Sequence, residues 1–132
     1  LDMIKRPYMI VHISVLIGWS CFLFFNGIPP FSLLVLLFFI VGFGYGASAL
    51  TFAVVRRSFP IIDSGIVSGF ANTGGFLSAV LLPLIFGAIL DHFQSTTGST
   101  VNGYYYGFIT PVIFSIIGLI GVFYLKEQQA EQ

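Results

Sequence analysis

Among the polar side chains that this sequence sets in an otherwise apolar context, Tyr45, Ser48 and Asn72 stand out as the ones that could do chemistry. A phenol, a hydroxyl and a carboxamide donate and accept hydrogen bonds but carry no charge near neutrality. Their chemistry is recognition or helix association, not bond breaking. Asn72 lies about two turns into a long apolar run, where a buried amide must find partners. It either bonds a neighbouring helix or lines a path for a polar solute. Tyr45 is a better candidate for such a path than Ser48, because a phenol in mid-run is less easily explained than one at an edge. Its other reading is again helix packing. His12, about one and a half turns from the start of its own run, reads as a residue at headgroup level rather than a proton relay.

The missing groups narrow the chemistry further. No Asp, Glu, Lys or Arg falls within any apolar run. There is no His/Cys/Glu cluster at metal-ligand spacing, no phosphate-binding loop and no nucleophile paired with a base. An enzyme is not expected, and neither is a metal or cofactor. An arginine ladder that could sense voltage is also missing. The net charge is zero, with basic residues in pairs or alone, which argues against a nucleic-acid partner. The single cysteine, Cys21, has apolar neighbours and cannot form an internal disulfide.

The elements that must position these residues are long. Hydrophobic residues make up 57% of the chain and charged residues 8%, against roughly 25% charged in a soluble domain. There is too little polar surface to face water, so the solvent this chain suits is lipid. Four apolar runs cover about residues 7–25, 31–55, 64–90 and 104–125, each near the ~20 residues a helix needs to cross the hydrocarbon core. They lack the alternation of barrel strands. The fold class is therefore all-α, an integral membrane bundle of four transmembrane helices. Lys5 and Arg6 ahead of the first run resemble a signal peptide. That run is long for a leader, however, and no small-x-small cleavage site follows.

Between the runs, Asn26-Gly27-Ile28-Pro29-Pro30 reads as a tight turn, since the prolines cannot continue a helix. Arg56 to Pro60 reads as a short basic loop, with Asp63 and Ser64 as N-caps of the third helix and the Asp63 charge suited to its positive end. Residues 91–103, rich in Ser, Thr, Gly and Asn, read as the longest loop. Lys5 and Arg6, Arg56 and Arg57, and Lys126 all fall on one side after four crossings, while the other two loops hold no Lys or Arg. The positive-inside rule places that side, with both termini, in the cytoplasm of a cell-membrane protein.

Small residues form stripes. Ala71, Gly75, Ala79, Pro83 and Gly87 recur every fourth position of the third helix, and Gly65 with Gly69 makes a GxxxG pair. Gly42 and Gly46, continued by Ala49 and Ala53, do the same in the second helix. In lipid, helices associate by close backbone approach, so these residues are expected to mediate helix packing, with a sliding contact as the sharper reading. Pro83 is expected to kink its helix; Pro111, near the start of the fourth, should have a slighter effect.

Taken together, the residues resemble the last four transmembrane helices, nine to twelve, of the major facilitator superfamily of secondary transporters. The opening Asp2-Met3-Ile4-Lys5-Arg6-Pro7 is similar to the end of that family's basic loop before helix nine. Gly42-Phe43-Gly44-Tyr45-Gly46 looks like the glycine-rich middle of helix ten. The stretch from Ser64 through Asn72, Gly74-Gly75 and Pro83 to Gly87 looks like helix eleven. The resemblance implies a fragment of a twelve-helix fold in two pseudo-symmetric halves, moving a small solute between them by alternating access, as symporter or antiporter. It implies that Tyr45, Ser48 and Asn72 line the pathway, and that Arg56, Arg57 and Asp63 close the cytoplasmic rim by ion pairs. The partners would be the lipid bilayer, the remaining helices, and a solute with or without a proton. From the residues alone, a second reading stays open: a self-contained four-helix assembly or scaffold subunit starting at Met3.

Overall fold

The computed structural model describes residues 4–46 and 48–125. Five helices account for nearly all of them: α1 (Lys5–Phe24), α2 (Phe31–Gly46), α3 (Ser48–Ser58), α4 (Ile61–Thr97) and α5 (Thr100–Tyr124). No strand is present among the described residues. Four stretches are long and apolar enough to cross a membrane: α1, the residues spanned by α2 and α3 (Phe31–Ser58), α4 and α5. The fold is an all-helical membrane bundle.

The spans run alternately up and down, and long-range contacts mark which ends meet. Lys5 at the start of α1 reaches the carbonyl of Leu125 just beyond α5. Tyr8 bonds Thr51 of α3. At the opposite end, Gly27 packs against the backbone of Tyr104. The turn there is built as the sequence suggests. Asn26 and Gly27 adopt φ of 51° and 80°, and the Gly27 N–H donates to the Phe22 carbonyl at 2.8 Å, which closes the helix end with left-handed residues.

Helix α1 packs on α5 and α2, α4 packs on α5 and α3, and α2 does not touch α4 among the described residues. The bundle is thus an open trough, with α1 and α5 as floor and α2 and α4 as walls. Its core is aromatic. Phe22 is fully buried and stacks on Phe108 at 4.3 Å. Trp19 and Phe86 extend the cluster against the same ring.

Three expectations need correction. Residues 91–103 are not a long loop. Helix α4 continues to Thr97, and only Gly98 and Ser99 separate it from α5. The Ser and Thr side chains that read as loop formers bond back to the helix instead. Ser95 and Thr96 donate to the His92 carbonyl at 3.0 and 2.6 Å, and Thr97 donates to that of Phe93 at 2.8 Å. Gly98, at φ 66°, ends α4 in the left-handed conformation. Ser99 caps α5 by accepting from the Asn102 N–H at 3.2 Å. Phe93 stacks on Tyr106 at 4.8 Å, holding the two extensions together.

The second correction concerns the start of α4. Asp63 and Ser64 are not its N-caps. The helix begins at Ile61 after Pro60, which takes the N-cap place in an extended conformation and pre-sets the entry. Asp63 lies inside the first turn, where its charge still faces the helix's positive end, and the Ser64 hydroxyl donates back to the Ile61 carbonyl at 2.8 Å. Third, the Arg56 to Pro60 loop is shorter than expected, because α3 carries both arginines in its last turn and ends at Ser58. The Lys126 cluster and the polar tail lie outside the described residues.

Candidate functional site

The trough between α2 and α4 holds a cavity of about 260 Å³ that residues of α1, α2, α4 and α5 all line. Its floor is His12, Val15 and Trp19 of α1, which lie on one face at positions i, i+3 and i+7. Ser115 and Gly118 of α5 close the far side, and Tyr45 and Ser78 stand on the two walls. A second cavity of about 330 Å³ runs on from it past Pro83 and Phe86. Trp19, Tyr45, Leu82 and Pro111 line both.

Glycines set how closely the walls approach. Gly44 lies against Val15 so tightly that no Cβ would fit, and a Cβ at Gly18 would come within 3.1 Å of Val41. On the other side, Gly103 and Gly107 receive Leu90 and Phe86 of α4; a Cβ at Gly107 would meet the Phe86 ring at 2.8 Å. These four positions give the α1–α2 and α4–α5 contacts their backbone proximity.

The residues singled out in the sequence are placed as follows. Tyr45 lines the cavity and is 69% exposed. Ser48, the first residue of α3, and Asn72, on α4, are exposed and lie outside the cavity lining. The structure brings Tyr45 together with His12, Ser78 and Ser115 instead. Arg56, Arg57 and Asp63 are exposed at the same end of the bundle as Lys5 and Arg6. Gly42, Gly46, Gly65, Gly69, Gly75 and Gly87 have open space where a Cβ would stand, so no described residue packs on them. Ala71 is half-buried and Gly87 likewise, while Ala79 and Pro83 are exposed. No residue of α4 is buried.

Gly103, Gly107, Ser78, Ser115 and Gly118 do not stand out in the sequence, and Gly44 does so only as a member of the glycine-rich run and not as a packing residue. A signal for two of them was present, because Gly103 and Gly107 are themselves a GxxxG pair. For Gly44 the signal was the period of the helix. Gly42 and Gly46 share a face, and Gly44, two positions from each, points to the opposite one.

Together, the four spans and the half-open, largely apolar cavity with a few polar groups define a membrane bundle built around an open trough. The chain matches the family model of the Major Facilitator Superfamily over residues 2–132. It belongs to that superfamily, whose members are transporters and not enzymes. Comparison with curated proteins and with solved structures gives no match.

Proposed function

We propose that this chain is the part of a secondary active transporter that corresponds to helices nine to twelve, and that it helps move a small solute across the cell membrane by alternating access. Membership of the superfamily supports the class. The observation that carries the rest is α4: it is 37 residues long and has no buried residue, and it displays the small-residue series from Gly65 to Gly87 with open space above its glycines. A helix surface of that kind suits close approach by further helices. The remaining helices of the transporter are the natural occupants, with their faces meeting α2 and α4 across the trough.

In this reading Tyr45 lines the solute path from α2, and Ser48 and Asn72 extend it on surfaces that the remaining helices would enclose. Arg56, Arg57 and Asp63 form the cytoplasmic rim, where the charges at the end of α3 and the start of α4 close the inward opening. Both termini are cytoplasmic, following the basic residues. The solute crosses with or without a proton; the described residues hold no carboxylate within the trough lining, so a coupling carboxylate would come from the other helices.

The test is solute uptake or export by the full transporter carrying Tyr45→Phe or Asn72→Ala at matched expression. Reduced transport in either variant supports the path. Wild-type rates in both would remove these residues from it and leave the fold unaffected.

A further inference from the structure

We propose that the four-helix cavity is a binding site for a small neutral hydroxyl donor, held by the bare Nε2 of His12. This does not depend on Tyr45 lining a solute path. The His12 Nδ1 lies 3.0 Å from the carbonyl oxygen of Tyr8. A carbonyl only accepts, so Nδ1 carries a hydrogen, and in the tautomer with its hydrogen there Nε2 offers a lone pair. The ring is held in place: the Tyr8 ring meets it edge-on at 4.5 Å and 68°, and the Tyr8 hydroxyl shares a hydrogen bond of 3.1 Å with Thr51 Oγ1.

The free edge of the imidazole faces α5 at a glycine. A Cβ at Gly118 would lie 3.4 Å from His12 Cδ2 and 3.7 Å from Nε2. Gly118 therefore keeps the space beside Nε2 open, and that space is part of the cavity. Two hydroxyls line it as well. The Ser115 Oγ donates to the Pro111 carbonyl at 2.8 Å, and the Ser78 Oγ donates to that of Gly75 at 2.8 Å. With their hydrogens committed to the backbone, both offer lone pairs to the cavity.

The lining thus presents three acceptors, His12 Nε2, Ser78 Oγ and Ser115 Oγ, beside the indole N–H of Trp19 and the phenol of Tyr45, and no charged side chain. Such a set suits a small neutral group that both donates and accepts, as a hydroxyl does. An ammonium ion would enter without a counter-charge, at high cost in a membrane interior. An O–H group satisfies the lone pairs at no such cost. At about 260 Å³ the cavity has room for water or for a small alcohol, and a bound water needs two to four polar partners, which these acceptors supply.

The experiment is nitrogen NMR of ¹⁵N-histidine-labelled protein in lipid bilayers, with His12 assigned by the loss of its signals in His12→Gln. The expected result is a protonated Nδ1, an unprotonated Nε2, and magnetisation transfer to Nε2 from a hydroxyl source. Transfer from bulk water identifies water as the donor. Transfer from the C–H protons of propan-1-ol in deuterium oxide identifies a solute hydroxyl. Gly118→Val should abolish either transfer while the Nδ1–H signal stays. Ser115→Val is a second way to fill the site should Gly118→Val fail to insert. An Nε2–H tautomer, or transfer from neither source, overturns the proposal.

Discussion

The Lys5 Nζ donates to the carbonyl oxygen of Leu125 at 2.7 Å and to that of Phe123 at 3.2 Å. One ammonium group at the start of α1 thereby satisfies carbonyls at the end of α5, where a helix leaves its last acceptors without partners. The positive charge also sits at the negative end of the α5 dipole. One of the basic residues on which the positive-inside orientation is proposed also ties the first and last spans together. Lys5→Met, which keeps most of the apolar stem, should destabilise the bundle by about 1–2 kcal/mol, the low end for hydrogen bonds to a charged group, because the site is partly exposed and screened. Lys5→Arg should retain most of the stability. Thermal unfolding in detergent, followed by helical circular dichroism, measures both; equal melting of Lys5→Met and wild type would show that the clamp is ornamental.

The glycines divide into two groups by their surroundings. Gly44 and Gly107 are enclosed by Val15 and the Phe86 ring, while Gly42 and Gly75 face open space. Gly44→Ala and Gly107→Ala force packed neighbours apart and should each cost about 1–3 kcal/mol. In the isolated chain, Gly42→Ala and Gly75→Ala should be neutral or stabilising by up to about 1 kcal/mol, because alanine is the better helix former. If the remaining transporter helices pack on the open stripe, Gly75→Ala should turn destabilising in the full protein. A comparison of isolated chain and full protein therefore reads out occupancy of that face. No difference between the two contexts would count against the packing partner proposed for α4.

This split also shows what the sequence could and could not reveal. The spans were legible because each apolar run is long enough to cross lipid and contains no charge, a property of composition alone. Which glycine does the packing was not, because Gly42, Gly44 and Gly46 look alike as letters and differ only in the face they occupy. Residues 91–103 misled for a related reason. Ser95, Thr96 and Thr97 are loop formers in water-facing segments, but at a helix end their hydroxyls return to carbonyls one turn back and extend it. The environment of His12 was beyond reach of the sequence, since the bond to Tyr8, the tether of Tyr8 to Thr51 and the gap at Gly118 involve three separate spans.

Phe22 is 0% exposed and lies face to face with Phe108, with Trp19 and Phe38 against its flanks. In water, emptying such a site costs about 3–5 kcal/mol, part of it from transfer of the ring out of solvent. In a bilayer the unpacked helices rest in lipid as apolar as the core, so that part is largely missing and lost van der Waals contact remains. Phe22→Ala should therefore cost less than in a soluble protein, about 1–3 kcal/mol. Phe22→Leu should recover part of the loss. Unfolding free energies of both variants in mixed micelles decide it, and a cost at the soluble-protein level would show that water enters this core.

The length of α4 fixes a relation between its two ends. Its 37 residues at about 1.5 Å each make a rod of about 55 Å, well beyond the ~30 Å of the hydrocarbon core. His92 lies about 31 residues beyond Ile61, and Arg57 precedes that start by one short turn. Even a steeply tilted α4 cannot bring both residues to one face of the membrane. With Cys21 replaced by serine, single cysteines at positions 57 and 92 should react with a membrane-impermeant maleimide from opposite sides: the former only after the cytoplasmic face is opened, the latter in intact cells. If the excess length of α4 projects at its far end, a cysteine at position 95 should be fully labelled as well, on a helical hairpin that the Phe93–Tyr106 stack holds together. Phe93→Ala should loosen this projecting hairpin, raising hydrogen exchange at residues 93–106 while leaving the amides around Phe22 protected. Labelling of positions 57 and 92 from the same side would be incompatible with α4 as a membrane-crossing helix.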